Sequence, residues 1–406
     1  MRWIIIIGIY ILLDIYVFQA FRIFKYQWVF YIYLFLSLAV AGNLYWQFSF
    51  SDTQSLTGAK SYAIGFFLAF LAPKLVMVTL LFGEDLIRMF IGGFNKLTHS
   101  GEDFSIPSRR KFLSQIALGV AAIPFASLLY GMYQGKYNYR VLKYTMYFDD
   151  LPEAFDGYRI TQISDIHSGS FDNPQKVKYG VDLINEQKSN VVLFTGDLVN
   201  NKAIEMDAWK EMFGGIQAED GVYSILGNHD YGDYAGWDSL KEKEQNLQDL
   251  KKVHTEMGWN LLLNESRFLE KQGQRVALVG VENWGSGGFT KKGDIDRASR
   301  KVDQKDFKVL LSHDPSYWGE RIKNDPKNYQ LTLSGHTHGM QFGIEIPGWF
   351  RWSPIQYRYD YWAGIYEEAG RYINVNRGFG YLAYPGRVGM WPEVTVIELR
   401  KGKKPV

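Results

Sequence analysis

Five short apolar runs in the later part of the chain each end on Asp, Asn or His. Residues 158–164 lead into Asp165-Ile166-His167, 191–195 into Gly196-Asp197, and 222–226 into Gly227-Asn228-His229-Asp230. Residues 307–311 lead into Ser312-His313-Asp314, and 331–333 into Ser334-Gly335-His336-Thr337-His338. A short apolar run with β-branched residues, closed by glycine or polar residues, reads as a buried strand. Sheets of α/β domains place their sites at the C-terminal ends of such strands. Of seven histidines, five stand at these ends, and only His99 and His254 lie elsewhere. Polar helical stretches, such as 175–188 and 239–257, alternate with the runs, which predicts a layered α/β domain.

The rest of the chain is of another kind. Residues 3–21, 28–46, 62–82 and 112–130 are apolar stretches close to the ~20 residues that cross a bilayer, several with Trp or Tyr at an end. They predict four transmembrane helices within residues 1–134, a connector over 135–150 and a catalytic domain over 151–406. Arg22 and Lys25 follow the first span, and Arg88, Lys96, Arg109, Arg110 and Lys111 follow the third, whereas Asp52 and Lys60 are the charges between the second and third. The positive-inside rule then puts everything after the fourth span, the catalytic domain included, on the external side of the membrane. Ser108-Arg109-Arg110-Lys111-Phe112-Leu113, before a moderately apolar stretch, resembles a twin-arginine export signal; two arginines anchoring a span at the cytoplasmic face give the same pattern. No A-x-A cleavage site follows, so the domain is expected to stay tethered. Asp14 and Lys74 fall inside spans at similar depth, where charges are costly, and are expected to pair.

Composition excludes some chemistry. The chain has no cysteine, so thiolate catalysis, disulfides and sulfur-ligated metals are out, and any metal must sit among oxygen and nitrogen ligands. A net charge of +2 over 406 residues argues against nucleic acid as the main partner, because phosphate-backbone binding needs a concentrated basic surface.

Carboxylates, imidazoles and one amide oxygen are the groups that can fill the shells of two adjacent divalent cations without cancelling their charge. Such a pair stays acidic enough to polarise phosphoryl oxygens and to generate hydroxide near neutral pH. Asp165 and His167, alternating at an extended strand end, can turn to one side, as can His336 and His338; Asp197 is the natural bridge. The order D-x-H, G-D, G-N-H-D, a lone His, then G-H-x-H resembles the calcineurin-like metallophosphoesterase superfamily from about residue 158 onward. The resemblance implies a β-sandwich of two mixed sheets flanked by helices. It also implies one metal held by Asp165, His167, Asp197 and His338 and a second by Asp197, Asn228, His313 and His336. Manganese is the expected metal, with iron, zinc, magnesium or calcium as alternatives. His229 would meet the substrate phosphate and protonate the leaving oxygen, with Asp230 beside it as orienting partner. Asp314-Pro315 reads as turn chemistry.

Membrane tethering, Gly221-Val222-Tyr223 before the central motif and Gly335-His336-Thr337-His338-Gly339 make the chain most similar to a bacterial branch of cell-envelope phosphoesterases. That branch is related to the UDP-2,3-diacylglucosamine hydrolases of lipid A synthesis. Met340 departs from the pattern, where a second glycine is usual. The expected activity is therefore hydrolysis of a phosphodiester or pyrophosphate bond in an envelope lipid or lipid precursor. An outward-facing domain could not, however, reach a precursor made inside. The alternatives are a phosphomonoesterase acting on phosphoprotein or nucleotide, and a catalytically silent membrane scaffold. Between Phe342 and Trp391, aromatic residues are interspersed with Arg351, Arg358, Arg371, Arg377 and Arg387. The mix suits the interfacial zone of a bilayer or simply a β-rich tail whose aromatics pack on sheets. Arg377 and Arg387, in glycine-flanked loops, are the expected substrate contacts.

Overall fold

The structure, a computed structural model, describes residues 2–50, 55–98, 107–346 and 349–404. Asp52 and His99 lie outside the described residues, as do the side chains of Lys96, Arg109 and Arg110. The chain divides after Tyr133 into a helical unit and a mixed α/β unit.

Four helices form the first unit: α1 (Arg2–Phe21), α2 (Trp28–Ser49), α3 (Gly58–Thr98) and α4 (Pro107–Tyr133). Among the described residues, Trp28–Ser49, Gly58–Phe94 and Lys111–Tyr133 are long and apolar enough to cross a membrane, and the apolar helix Ile5–Phe21 is shorter. Large apolar side chains point outward, as at Leu12, Phe35 and Phe90, the reverse of a helix bundle made for water. The expected loop after the third span is different. α3 runs 41 residues, about 60 Å at 1.5 Å per residue and twice the thickness of a bilayer core. Arg88 therefore stands on the helix, paired with Glu84 one turn earlier at 2.5 Å. Inside the unit Lys74 Nζ lies 2.8 Å from Asp14 Oδ1. Ser37 of α2 joins the pair, donating to Asp14 at 2.8 Å and accepting from Lys74 at 2.7 Å. The Tyr10 ring covers the ammonium, its centroid 3.0 Å away.

The second unit contains fourteen described strands: β1 (Arg140–Phe148), β2 (Arg159–Ile163), β3 (Val191–Phe194), β4 (Val222–Ser224), β5 (Trp259–Leu261), β6 (Glu265–Lys271), β7 (Gln274–Gly280), β8 (Phe307–Leu311), β9 (Leu331–Ser334), β10 (Ile344–Ile346), β11 (Phe350–Trp352), β12 (Gly364–Glu368), β13 (Arg371–Val375) and β14 (Glu393–Lys401). One sheet has the order β1-β14-β2-β3-β4-β5 and the other β12-β13-β9-β8-β7-β6, while β10 and β11 form a separate hairpin. Both sheets are mixed: β2 to β5 are mutually parallel with β14 antiparallel to β2, and β13, β9, β8 and β7 are parallel with antiparallel strands at each edge. Ile160, Leu193 and Ile225 from one sheet meet Leu278, Val309 and Leu331 from the other in a common buried core. The outer face of the first sheet is covered by α5 (Pro174–Glu186), the short α6 (Lys210–Gly214) and α7 (Leu240–Glu256), through Val177, Phe213 and Leu250 among others. This is the helix-flanked β-sandwich. The segment expected as a connector, 135–150, instead supplies β1, which runs parallel to β14 from Arg140↔Glu393 to Phe148↔Lys401. Its Met146 and Phe148 reach the inter-sheet core, and that burial makes a strand of a stretch whose aromatic and polar mixture looks like linker.

Candidate metal centre

The five polar strand ends converge where the C-terminal ends of β2, β3 and β4 of one sheet meet those of β8 and β9 of the other. Asp165, His167 and His338 place one ligand atom each within 4.8 Å of one another, and Asp197, His313 and His336 do the same. Either group could hold a metal ion. His167 Nε2 and His338 Nε2 face each other at 3.0 Å, and His338 Nε2 lies 3.2 Å from Asp165 Oδ1. On the other side Asn228 Oδ1 is 3.2 Å from His313 Nε2 and 2.8 Å from His336 Nδ1. Asp197 Oδ2 stands between the groups, 3.6 Å from His167 Nε2 and 3.2 Å from His313 Nε2. A buried set of imidazoles, carboxylates and one amide oxygen fits divalent cations that accept nitrogen and oxygen ligands.

Strand alternation does not aim these side chains. β2 ends at Ile163 and β9 at Ser334, and Asp165, His167, Asp197, His336 and His338 all lie in loops with φ between 48° and 73°. Left-handed backbone is uncommon for residues with a Cβ and clusters at functional sites. Two glycines let the loops close. A Cβ on Gly227 would stand 2.2 Å from Asp197 Oδ1, and one on Gly335 would stand 2.3 Å from Asp165 Oδ2. Met340 is left-handed too, with φ 55°, which accounts for glycine being usual there. Its side chain is 54% exposed beside the centre.

Hydrogen bonds behind the cluster set the ring orientations. His313 Nδ1 lies 2.7 Å from the Thr195 carbonyl, and His336 Nε2 lies 2.8 Å from the Tyr359 hydroxyl and 3.6 Å from Asp314 Oδ2. Each leaves the opposite ring nitrogen for the cluster, the usual outer-shell arrangement of ligand histidines. Burial disfavours charge on His313, but Asp197 and Asp165 outweigh it and raise its pKa to about 10. Burial likewise acts to raise Asp165 and Asp197, yet the neighbouring histidines, His338 for the first and His313 for the second, hold both below the ordinary carboxylate range. Burial lowers His167 and His229.

Three expected roles are corrected. Asp230 does not orient His229. Its carboxylate accepts from the amides of Asp197, Gly227, Leu198 and Val199 at 2.8–3.3 Å, binding the β3 loop to the β4 loop. The partner of His229 Nδ1 is the Asn200 carbonyl at 2.8 Å. Arg377 is buried and spent on Glu393 at 2.5 Å and Glu345 at 2.6 Å. Arg387 is fully buried, donating to the carbonyls of Gly380 and Met390 and lying 3.3 Å from His338 Nδ1. A Cβ on Gly378 would stand 3.0 Å from the Arg387 guanidinium and one on Gly389 would stand 1.9 Å from the Gly343 carbonyl, and neither arginine side chain reaches a surface where substrate could meet it. Asp314 does cap its turn, accepting from Ser316 N at 2.8 Å, but it also backs His336. Sequence reasoning missed Tyr234, which accepts from Asn228 Nδ2 at 3.0 Å and lies 4.5 Å from the His229 ring, and Tyr359. Tyr234 falls six residues after Asn228, a weak signal; Tyr359 carries none.

Comparison with known proteins matches residues 158–340 to the family described as "Calcineurin-like phosphoesterase" and residues 1–136 to "Probable Calcineurin-like phosphoesterase, transmembrane domain". The "Uncharacterized metallophosphoesterase YkuE" of Bacillus subtilis (strain 168) is 28% identical over 72% of this chain and 98% of its own. An "Uncharacterized metallophosphoesterase" of Aquifex aeolicus (strain VF5) is 28% identical over 69% of this chain and 99% of its own. A "Transmembrane protein with metallophosphoesterase domain" of Danio rerio is 26% identical over 72% of this chain; the match spans 63% of that relative. The geometry and both matches agree: residues 158–340 form a calcineurin-like phosphoesterase domain and residues 1–136 match the transmembrane domain that goes with it, which makes the chain a membrane-associated, metal-dependent phosphoesterase.

Proposed function

We propose that the protein hydrolyses a phosphodiester or pyrophosphate bond of a cell-envelope lipid or lipid precursor. One cation would be held by Asp165, His167, Asp197 and His338 and a second by Asp197, Asn228, His313 and His336. The observation that carries this reading is Asp197 Oδ2, placed within 3.6 Å of His167 and 3.2 Å of His313, where one carboxylate can serve both groups. Two divalent cations there, manganese in first place, would neutralise phosphoryl charge and lower the pKa of a bound water. The amide of Asn228 is steadied by Tyr234, so its oxygen stays on the His313 and His336 side. His229 donates Nδ1–H to the Asn200 carbonyl, which leaves Nε2 to meet a substrate oxygen and exchange a proton with it. The apolar helices support a substrate drawn from the membrane, and the arginines and lysines flanking them support a periplasmic domain.

The test uses the full chain in detergent, stripped of metal, reloaded with manganese and assayed on an aryl phosphodiester and on a phosphate-linked lipid. Metal-dependent hydrolysis that falls by ~10²-fold or more in His229→Ala supports the mechanism. Turnover of soluble monoesters alone removes the lipid reading, and metal binding without any hydrolysis leaves the scaffold. Protease protection of the domain in intact spheroplasts would overturn its periplasmic placement.

A further inference from the structure

The β10–β11 hairpin is built inside out. Its register pairs Ile344 with Trp352 and Ile346 with Phe350, and sets Glu345 opposite Arg351 between them. Side chains alternate across a strand, so one face is apolar and the other charged. The charged face is turned to the domain: Glu345 accepts from Arg377 at 2.6 Å, and Arg351 donates to the Ala363 carbonyl with its guanidinium 4.9 Å from the Trp362 ring. The apolar face is turned out, with Ile344, Ile346 and Phe350 44–53% exposed and Trp349 at the turn 82% exposed. A half-buried strand in water shows the opposite alternation, and a contiguous exposed apolar patch marks an interaction surface.

Two further contacts say what covers it. The stem of the hairpin is bonded to the 386–391 loop, Gly343 N to the Val388 carbonyl at 2.9 Å and Val388 N to the Gln341 carbonyl at 2.8 Å. The same loop receives the chain where it enters the domain: a Cβ on Gly135 would stand 2.3 Å from the Arg387 carbonyl and 3.0 Å from the Trp391 ring. Gly135 is the second residue after Tyr133, where the apolar helix Lys111–Tyr133 ends. Two residues of chain span at most about 7 Å. The root of the patch is thus joined, through one loop, to a point a few ångströms of chain from a helix that can cross a membrane. Phe342, whose ring lies 6.5 Å from that of Trp352, and Met340 are also exposed and lie between the hairpin and His338 in the chain.

We propose that Ile344, Ile346, Trp349 and Phe350 dock on the interfacial zone of the lipid bilayer and hold the mouth of the metal centre at the headgroup layer. Trp and Phe suit that depth, where an aromatic ring meets both chains and water. The short tether keeps the patch at high effective concentration beside lipid, which favours the bilayer over a second copy as occupant. The inference reads position, not hydrolysis, so it stands or falls apart from the proposed reaction.

Because the chain lacks cysteine, single reporters can be placed without background. Full chains carrying Trp349→Cys or Ile346→Cys, and Leu240→Cys as a comparison on α7 as exposed as Trp349, are labelled with an environment-sensitive fluorophore and placed one per nanodisc. Lipids bearing a nitroxide near the headgroup should quench the probes at 349 and 346 about twofold more than the probe at 240. Equal quenching at all three positions overturns the proposal. Protection or quenching that appears only with two chains per disc also overturns it, and makes a second copy the occupant.

Discussion

Removing either charge of the Asp14–Lys74 pair should unfold the helical unit far more readily than removing both. Lys74 and Asp14 are 0% and 1% exposed, so Asp14→Ala leaves an ammonium with only the Ser37 hydroxyl and the Tyr10 ring for company. Breaking a buried pair from one side costs about 3–5 kcal/mol, because the surviving charge has lost both water and partner. That is roughly a 10²- to 10⁴-fold shift in the unfolding equilibrium. The Tyr10 ring returns about 2 kcal/mol to a desolvated cation, so Asp14→Ala belongs at the lower end of the range. Lys74→Ala, which leaves the Asp14 carboxylate the Ser37 hydroxyl and no cation, belongs at the upper end. The double change Asp14→Leu with Lys74→Met should come within about 1 kcal/mol of wild type or exceed it, since an apolar replacement escapes the desolvation cost. The exchange Asp14→Lys with Lys74→Asp should recover part of the loss. Equilibrium unfolding in detergent, read by helical circular dichroism, gives all five values. Single removals that each cost under about 0.5 kcal/mol, or an exchange that recovers nothing, would refute the pairing as the source of stability.

Other outcomes follow from the α/β unit. Asp197→Ala removes the oxygen shared by both groups, so metal content by mass spectrometry should fall by more than half, whereas loss of one group alone would leave about half. Asp230→Ala orphans four buried amides and should cost about 3–5 kcal/mol of stability, with Asp230→Asn intermediate because one acceptor survives; equal melting of all three proteins would contradict the knitting role. His254 is fully buried against Ser224, Phe194 and Trp259, and burial pushes it from 6.5 down to about 3. Between those values the unfolded chain takes up a proton that the folded one refuses. Its contribution is therefore complete above pH 6.5 and is lost as pH falls, by about 2 kcal/mol near pH 5. His254→Asn should flatten that limb of a chemical-denaturation profile, and parallel limbs would contradict it.

The pattern of apolar runs ending on Asp, Asn and His determined the main strands of the sandwich and the residues gathered at their ends, because burial selects strand composition locally. The lengths of the N-terminal apolar stretches and the isolated Asp14 and Lys74 likewise identified a membrane unit and the pair inside it, since an unpaired charge at that depth is too costly to keep. What only the tertiary structure decided are the roles that depend on which groups end up behind others. Asp230 adjoins His229 in sequence, yet the backbone turn sends its carboxylate to four amides, and a carbonyl from a different loop takes the orienting place. Arg377 and Arg387 look like substrate contacts because glycines flank them; the fold buries both guanidiniums and pairs them inside the domain. The segment 135–150 became strand β1 only because β14, some 250 residues later, offers it an edge. The hairpin's reversed faces are equally invisible in the string Ile344-Glu345-Ile346, whose alternation is the same whichever side is turned to the core. Alternation states that two faces differ, and only the fold chooses which of them meets water, protein or lipid.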